Sequence, residues 1–180
     1  MITTQLITLA NIRAVKSIAL NVQQEKELIP YILEAQNFDL VKFLGDAFYL
    51  ALVDDFNSSP SLSTYSTLFN GGSYIHNGVN YQLYGVKDLI VYYAYARYVN
   101  NSNVIATPTG FVNKTNPYSE QVTDKTIARL VDNAKAGASF IEDSLKNYLN
   151  RKNSDYPLWN NCEKTTNFRT RIRQVWTAKI

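Results

Sequence analysis

The chain has 180 residues, of which 46% are hydrophobic, and its formal net charge is +3 at pH 7. This length and composition support one domain with a buried core and exclude a chain that is disordered throughout. The small net charge disfavours a free-standing nucleic-acid-binding protein, because such proteins usually carry a strong basic excess.

Membrane, secretion and metal chemistry are not indicated by the sequence. The longest apolar run, residues 89–96, is far shorter than the roughly 20 residues that a bilayer crossing requires. Residues 1–16 have no basic region ahead of their apolar residues, so they do not resemble a secretory signal, and we expect no membrane partner. The single Cys162 cannot form an internal disulfide, and the single His76 cannot build a multi-histidine metal site.

The N-terminal region predicts two helices separated by a polar break. Thr8 is the predicted N-cap of a first helix of about three turns. Its apolar positions are Leu9, Ile12, Val15 and Ile18. Residues 21–24 interrupt the pattern, and a second helix is predicted to begin near Glu25, with Pro30 close to its first turn.

Helical spacing of apolar residues continues from Leu28 to Leu52. The pattern predicts either one long helix or two stacked pieces, with a weak point at residues 37–39. The helical region is expected to end at residues 54–56.

Two insertions rich in turn-forming residues interrupt the helical pattern. In residues 57–83, the Asn77-Gly78 dipeptide lies between β-prone residues and predicts a small hairpin. At about 27 residues this insertion is too long for a passive connector and is predicted to be a working surface. In residues 103–118, residues 104–107 and 111–114 are predicted to pair as a second hairpin.

Between the insertions lies a helix with almost no polar face. Residues 89–96 place apolar or tyrosine side chains in every direction around the helix axis, which predicts a central helix wrapped by other elements. Its tyrosines at positions 92, 93, 95 and 98 favour a packed interface with wet edges, because a buried hydroxyl needs a partner. This is typical of a scaffold or assembly protein, and the alternative is a core helix of a monomer.

The longest predicted helix spans about 30 residues and begins at an N-cap provided by Asn116 or Ser119. It should end by Asn153, because Tyr156-Pro157 favours extended backbone. The predicted fold is therefore mainly α, a bundle of about four helices. The bundle and both insertions occupy residues 1–157, and residues 158–180 form an extended, basic C-terminal arm.

No catalytic constellation emerges from the sequence. Gly71-Gly72 is not followed by the lysine of a phosphate-binding loop, and nothing brings the possible nucleophile Cys162 to the possible base His76. Neighbouring carboxylates in a helix point about 100° apart, so Asp54-Asp55 and Glu142-Asp143 are predicted to be solvated charges. We expect no catalytic residue, no cofactor and no metal, and therefore a protein that is not an enzyme.

The C-terminal arm combines aromatic anchors with clustered arginines. In an extended conformation its arginines share one edge, whereas in a helix its apolar residues form a stripe surrounded by arginines. Both arrangements favour protein docking. The predicted interface residues are Phe168, Arg169, Arg171, Ile172, Arg173 and Trp176. The alternatives are a frayed basic terminus, or a small module that binds protein or nucleic acid through this arm.

Taken in order, several segments resemble the head–tail adaptor (connector) proteins of tailed bacteriophages, particularly the neck ring proteins of crAss-like Bacteroidetes phages. The segments are ITLANIRAVKSI, ELIPYILEAQNFDLVKFLGDAFYLAL, LFNGGSY, LYGVKDLIVYYAYARYV, TPTGFVNK and the helix through SFIEDSLKNYL. The resemblance covers most of residues 5–157.

This resemblance implies a virion structural protein at the neck of the particle, made in the host cytoplasm. Its subunits would form a homo-oligomeric ring of about twelve copies below the portal, with genomic DNA passing non-specifically through the centre. The implied partners are the portal protein and the next tail or neck protein. That family has no active site, so no catalytic residue is implied here.

Overall fold

The computed structural model describes residues 2–18, 28–58, 63–102, 104–107, 110–113 and 122–160. These residues are mostly helical with small antiparallel hairpins, which confirms the predicted fold class. The helices are α1 (Leu9–Val15), α2 (Ile29–Glu34), a π-helix (Ala35–Leu40), α3 (Val41–Leu44), α4 (Asp46–Asn57), α5 (Ser63–Asn70), α6 (Val86–Asn101), α7 (Asp124–Arg151) and α8 (Pro157–Asn160). The strands are β1 (Gly72–His76), β2 (Val79–Leu83), β3 (Val104–Thr107) and β4 (Gly110–Asn113).

Helix α6 lies at the centre of the fold, as its sequence predicts. Every side chain from Val86 to Val99 is buried or half-buried, and the exposed residues of the helix are Asn100 and Asn101. Helices α1, α2, α5 and α7 and the π-helix all contact it. Of the described helices, none is long and apolar enough to cross a bilayer.

Helix α7 covers α6 along an apolar stripe. Its buried residues are Val131, Ala134, Ala138, Ile141, Leu145, Tyr148 and Leu149. The helix begins at Asp124 with Thr123 as N-cap, so the predicted caps Asn116 and Ser119 are wrong. Thr123 lies closer to the first apolar turn, and Asp124 places a negative charge at the positive end of the helix dipole. The predicted end before Asn153 is confirmed.

Gly137 of α7 makes room for the ring of Tyr92 of α6. A Cβ atom at this position would lie 2.2 Å from Cε1 of Tyr92, so the ring occupies the space that a side chain would need. The ammonium of Lys16 lies 4.0 Å from the centroid of the same ring, within cation–π range. Tyr92 therefore joins α7 to the end of α1.

Helix α1 is shorter than predicted. Its N-cap is Thr8, as predicted, and the Thr8 N–H donates to Asn11 Oδ1 at 2.8 Å. The helix ends at Val15, after about two turns, because the backbone becomes extended at Lys16. At this extended position the ammonium of Lys16 lies over the ring of Tyr92.

Residues 28–57 form two helical pieces separated at Gly45, not at the predicted weak point. Gly45 has φ of +83°, a conformation that glycine adopts without steric cost. Residues 37–39 instead belong to the π-helix, and α4 ends at Asn57, just beyond the predicted range. Pro30 lies in the first turn of α2, as predicted. The predicted start near Glu25 lies outside the described residues.

Both predicted hairpins are present. β1 pairs with β2 across Asn77-Gly78, which have φ of +51° and +77°, as a type I′ turn requires. β3 pairs with β4 and places Thr107 opposite Gly110, so the second strand is shifted one residue from the prediction. The sequence did not predict α5 within the first insertion, because the polar residues of this helix give little apolar periodicity. Helix α5 is held in place by its buried residues Leu68 and Phe69.

Consecutive carboxamides in the π-helix hold the N-terminal segment by its main chain. Gln36 is fully buried, accepts from the Leu6 N–H and donates to the Thr4 carbonyl, both at 2.9 Å. Asn37 likewise accepts from the N–H of Ile2 and donates to its carbonyl, both at 2.9 Å. Residues 2–6 therefore dock through peptide groups as well as through the buried side chain of Leu6.

We expect Gln36→Ala to lower the free energy of unfolding by about 2 kcal/mol or more. The substitution leaves the buried Leu6 N–H and the part-buried Thr4 carbonyl without their partner, and an unpaired buried group costs about 1–3 kcal/mol. Urea denaturation followed by circular dichroism measures the change. Gln82→Ala, at an exposed position on β2, is the matched control. Equal stability of the two variants would contradict the role assigned to Gln36.

A second expectation concerns Gly137 and Tyr92. In a Tyr92→Ala background, Gly137→Ala should stabilise the protein by about 1 kcal/mol, the usual gain in helix propensity. In the wild-type background the same change should give no gain or a loss, because the new Cβ meets the Tyr92 ring. A double-mutant cycle of denaturation free energies measures the difference, and additive effects would refute the contact.

Candidate assembly surface

The β1–β2 hairpin, residues 72–83, is fixed to the end of α7 by Arg151. Nη1 of Arg151 donates to the hydroxyl of Tyr74 at 2.8 Å, and its guanidinium lies 4.0 Å from the ring centroid of Tyr81. The two tyrosines are cross-strand partners whose rings stack with centroids 5.5 Å apart. One arginine therefore holds both strands of the hairpin at once.

A chain of tyrosines extends this anchor into the core. Tyr148 of α7 meets Tyr74 edge to face with centroids 4.8 Å apart, and its hydroxyl lies 3.2 Å from that of Tyr156. The Tyr156 hydroxyl donates to the Thr64 carbonyl of α5 at 2.7 Å. Burial, and then the hydrogen bond with Tyr148, raise the pKa of Tyr156 above its usual value, so this hydroxyl stays protonated and donates. The base of the hairpin is thus rigid.

The tip of the hairpin is apolar and faces water. Ile75 is 67% exposed and Val79 is 52% exposed. Ile75 lies opposite Asn80 on the outer face, whereas Val79 pairs with His76 on the face that carries Tyr74. A firmly held hairpin with exposed β-branched residues at its tip is suited to contact a partner. The second hairpin also exposes apolar residues, Val104 and Val112.

An open cleft of about 490 Å³ lies where α6, α7 and the π-helix meet. Its arginine is paired with carboxylates. Arg97 contacts both oxygens of Asp39, at 2.7 and 3.1 Å, and contacts Glu34 at 2.9 Å. The hydrogen bonds with Asp39 raise the pKa of the Arg97 guanidinium. These contacts join the π-helix to α6.

Tyr93 and Glu142 line the same cleft. Tyr93 donates its hydroxyl proton to Glu142, and Lys146 lies 3.5 Å from the same carboxylate. Burial, followed by the hydrogen bond to Glu142, raises the pKa of Tyr93, so the hydroxyl stays protonated and remains a hydrogen-bond donor. The arrangement joins α6 to α7.

The sequence-predicted sites are placed as follows. Phe168, Arg169, Arg171, Ile172, Arg173 and Trp176 lie outside the described residues, as does Cys162. His76 lies at the hairpin tip. Leu158 and Trp159, the first residues of the predicted arm that the structure places, lie in α8 and pack against the core. Within the described ranges, no cluster of three His, Cys, Asp or Glu side chains could hold a metal.

Sequence reasoning found the hairpin but missed what anchors it. Arg151 lies far along the chain from Tyr74 and Tyr81, and no local pattern links them. The sequence does place Arg151 in the last turn of α7, but a basic residue there is also expected because it stabilises the helix dipole. Its position therefore gave no indication of a contact with the hairpin.

Comparison with known protein families gives a match that covers this hairpin and most of the helices. A family model described as a family of unknown function (DUF6712) matches residues 40–169. The chain belongs to this family. The DUF6712 match spans α4, both hairpins, α6 and α7 and ends at Arg169 within the predicted arm. Comparison with curated proteins found no significant match, and comparison with solved structures also found none.

We expect the free energy of unfolding to fall as the pH rises above about 10. The folded protein keeps protons on Tyr93 and Tyr156 that the unfolded chain releases near the usual tyrosine pKa of 10.0. Their contribution is complete below that pH and is lost above it, at about 1.4 kcal/mol per pH unit for each group. Urea titrations from about pH 9 to about 11 should show a shallower decline for Tyr156→Phe than for the wild type. Equal slopes would contradict this role.

Proposed function

We propose that this chain is a virion structural protein, a head-to-tail connector subunit that joins the portal to the tail as a homo-oligomeric ring. DNA would pass through the ring without being read. The ordered sequence segments described above and the mainly helical body with two hairpins support this proposal. It is a role without catalysis, and the polar groups described in the α6–α7 cleft serve to join helices.

The anchored hairpin is the observation that carries the proposal. In a ring each subunit meets its neighbours through two different surfaces at a fixed angle, so a hairpin that projects into such a contact must hold its direction. Arg151 and the Tyr74–Tyr81 stack fix that direction before any partner binds. Ile75 and Val79 then supply apolar contact area, and little conformational entropy is lost on binding because the hairpin is already ordered.

The charge distribution also suits a DNA passage. Residues 161–180 contain five basic residues and one acidic residue, a net charge of +4. Since the whole chain carries +3, residues 1–160 carry −1. A body with no cationic excess does not hold phosphates tightly, which favours movement of DNA past it.

A second candidate function is a small protein- or nucleic-acid-binding module that uses the basic arm. The concentration of charge in residues 161–180 favours it. Binding of the full chain to a DNA duplex, falling steeply with salt and lost on Arg171→Ala, would support this candidate over the connector.

The connector proposal is tested on particles from the source of this chain. Mass spectrometry of purified virions should find the protein, and image reconstruction of the neck should place it in a ring at one vertex. Absence from tail-bearing, DNA-filled particles would overturn the proposal.

The hairpin is tested with Ile75→Ser combined with Val79→Ser. Both side chains are exposed, so thermal stability should hardly change. Ring incorporation should fall at least about tenfold, because the variant removes apolar area from the contact. The matched control is Ser73→Ala combined with Gln82→Ala, at exposed cross-strand positions nearer the base of the hairpin. Equal incorporation of both variants would exclude the tip from assembly.

A further inference from the structure

One face of α4 stands out because it is exposed, acidic and apolar together. Asp46, Leu50 and Asp54 recur every four residues and therefore lie along one side of the helix. Both aspartates are exposed and Leu50 is 50% exposed. The opposite side packs into the core through Phe48 and Leu52. We call Asp46, Leu50 and Asp54 the α4 face.

Cations do not neutralise this face within the described part of the chain. Helix α4 contains no lysine or arginine, and neither Asp46 nor Asp54 makes an ion pair with a described residue. By contrast, the exposed Asp143 on α7 lies 3.4 Å from Lys146. An exposed leucine between two unneutralised carboxylates favours a partner that brings cations and apolar surface together.

The same chain contains a segment of that chemistry. Arg169, Arg171 and Arg173 alternate with uncharged residues, within a stretch whose net charge is +4. In an extended segment Arg169 and Arg173 are about 13 Å apart, which matches the roughly 12 Å along the helix axis between Asp46 and Asp54. Arg171 then lies opposite Leu50, which its aliphatic stem can cover.

The described chain also ends close to α4. Trp159 of α8 contacts Phe48 and Phe43, with ring centroids 6.4 and 5.8 Å apart. That contact is on the buried side of α4, whereas Leu50 points away from it and remains half exposed in the single chain. From Asn160 to Arg169 the chain can span at most about 30 Å. This reach is comparable to a domain diameter and allows the arm to meet an adjacent subunit.

We propose that the α4 face of one subunit binds residues 169–173 of a second copy, with Arg169 and Arg173 against the two aspartates and Arg171 over Leu50. The inference rests on the proposed ring, because it assigns the occupant of this surface to a neighbouring subunit. Each copy would give one arm and receive one, which is the head-to-tail contact that closes a ring.

Complementary charge reversal tests this contact in the full-length chain. One variant carries Asp46→Arg and Asp54→Arg, and the other carries Arg169→Asp and Arg173→Asp. Each variant alone should assemble at least about tenfold more weakly than the wild type, because like charges then face each other. An equimolar mixture should recover assembly, since each reversed face meets a reversed arm. Analytical ultracentrifugation measures the sizes.

The matched control carries Asp132→Arg and Asp143→Arg, which reverses two exposed aspartates on α7. It should assemble like the wild type. Full assembly of either α4-face or arm variant alone, or a mixture that stays as weak as its components, would overturn the proposal.

Cysteine cross-linking distinguishes a neighbour's arm from the chain's own arm. In a Cys162→Ser background, Leu50→Cys and Arg171→Cys should give disulfide-linked dimers and larger multimers with oxidised glutathione. A disulfide formed only within one chain, or none, would overturn the proposal. If the protein forms the neck ring but does not cross-link, this inference alone fails. If multimers cross-link but virions lack the protein, the connector function fails and the docking contact stands.

Discussion

The enclosure of α6 governs the arrangement of the helices around it. Because none of its side chains from Val86 to Val99 is exposed, the helix is stable only when other elements cover it on most of its surface. α7 supplies the most extensive cover, and Gly137 leaves room in it for the ring of Tyr92. The shorter helices α1, α2 and α5 fill the remaining directions.

Tyrosine makes this enclosure specific. An apolar ring can pack in many orientations, but a buried hydroxyl without a partner costs free energy, so its position is restricted. Tyr93 reaches Glu142 on α7, Tyr156 reaches the Thr64 carbonyl on α5, and Tyr74 of the hairpin is reached by Arg151. Each bond joins elements that are distant in the sequence, and together they fix the arrangement of the fold.

Features with local causes could be predicted from the sequence. Three such features depend only on nearby residues and are found in the structure: the burial of α6, the Asn77-Gly78 turn and the Thr8 N-cap. Other features result from competition or distance. Gly45 breaks the helix where the apolar spacing continues without interruption, and Thr123 replaces two plausible earlier caps. The hairpin was predicted, but its anchor Arg151 was not, because that contact forms only after α7 and the hairpin come together.

The manner in which Gln36 and Asn37 hold residues 2–6 affects how the sequence can change over evolution. Carboxamides that bond to peptide N–H and carbonyl groups recognise backbone spacing, which nearly every residue type provides. Side chains such as Thr3, which is exposed, can therefore be exchanged without loss of docking, whereas proline at Leu6 would remove a required donor. An insertion or deletion within this segment would shift its amides out of register. Changes at the exposed position of this segment are tolerated, whereas loss of the buried Leu6 side chain or a change in segment length is not.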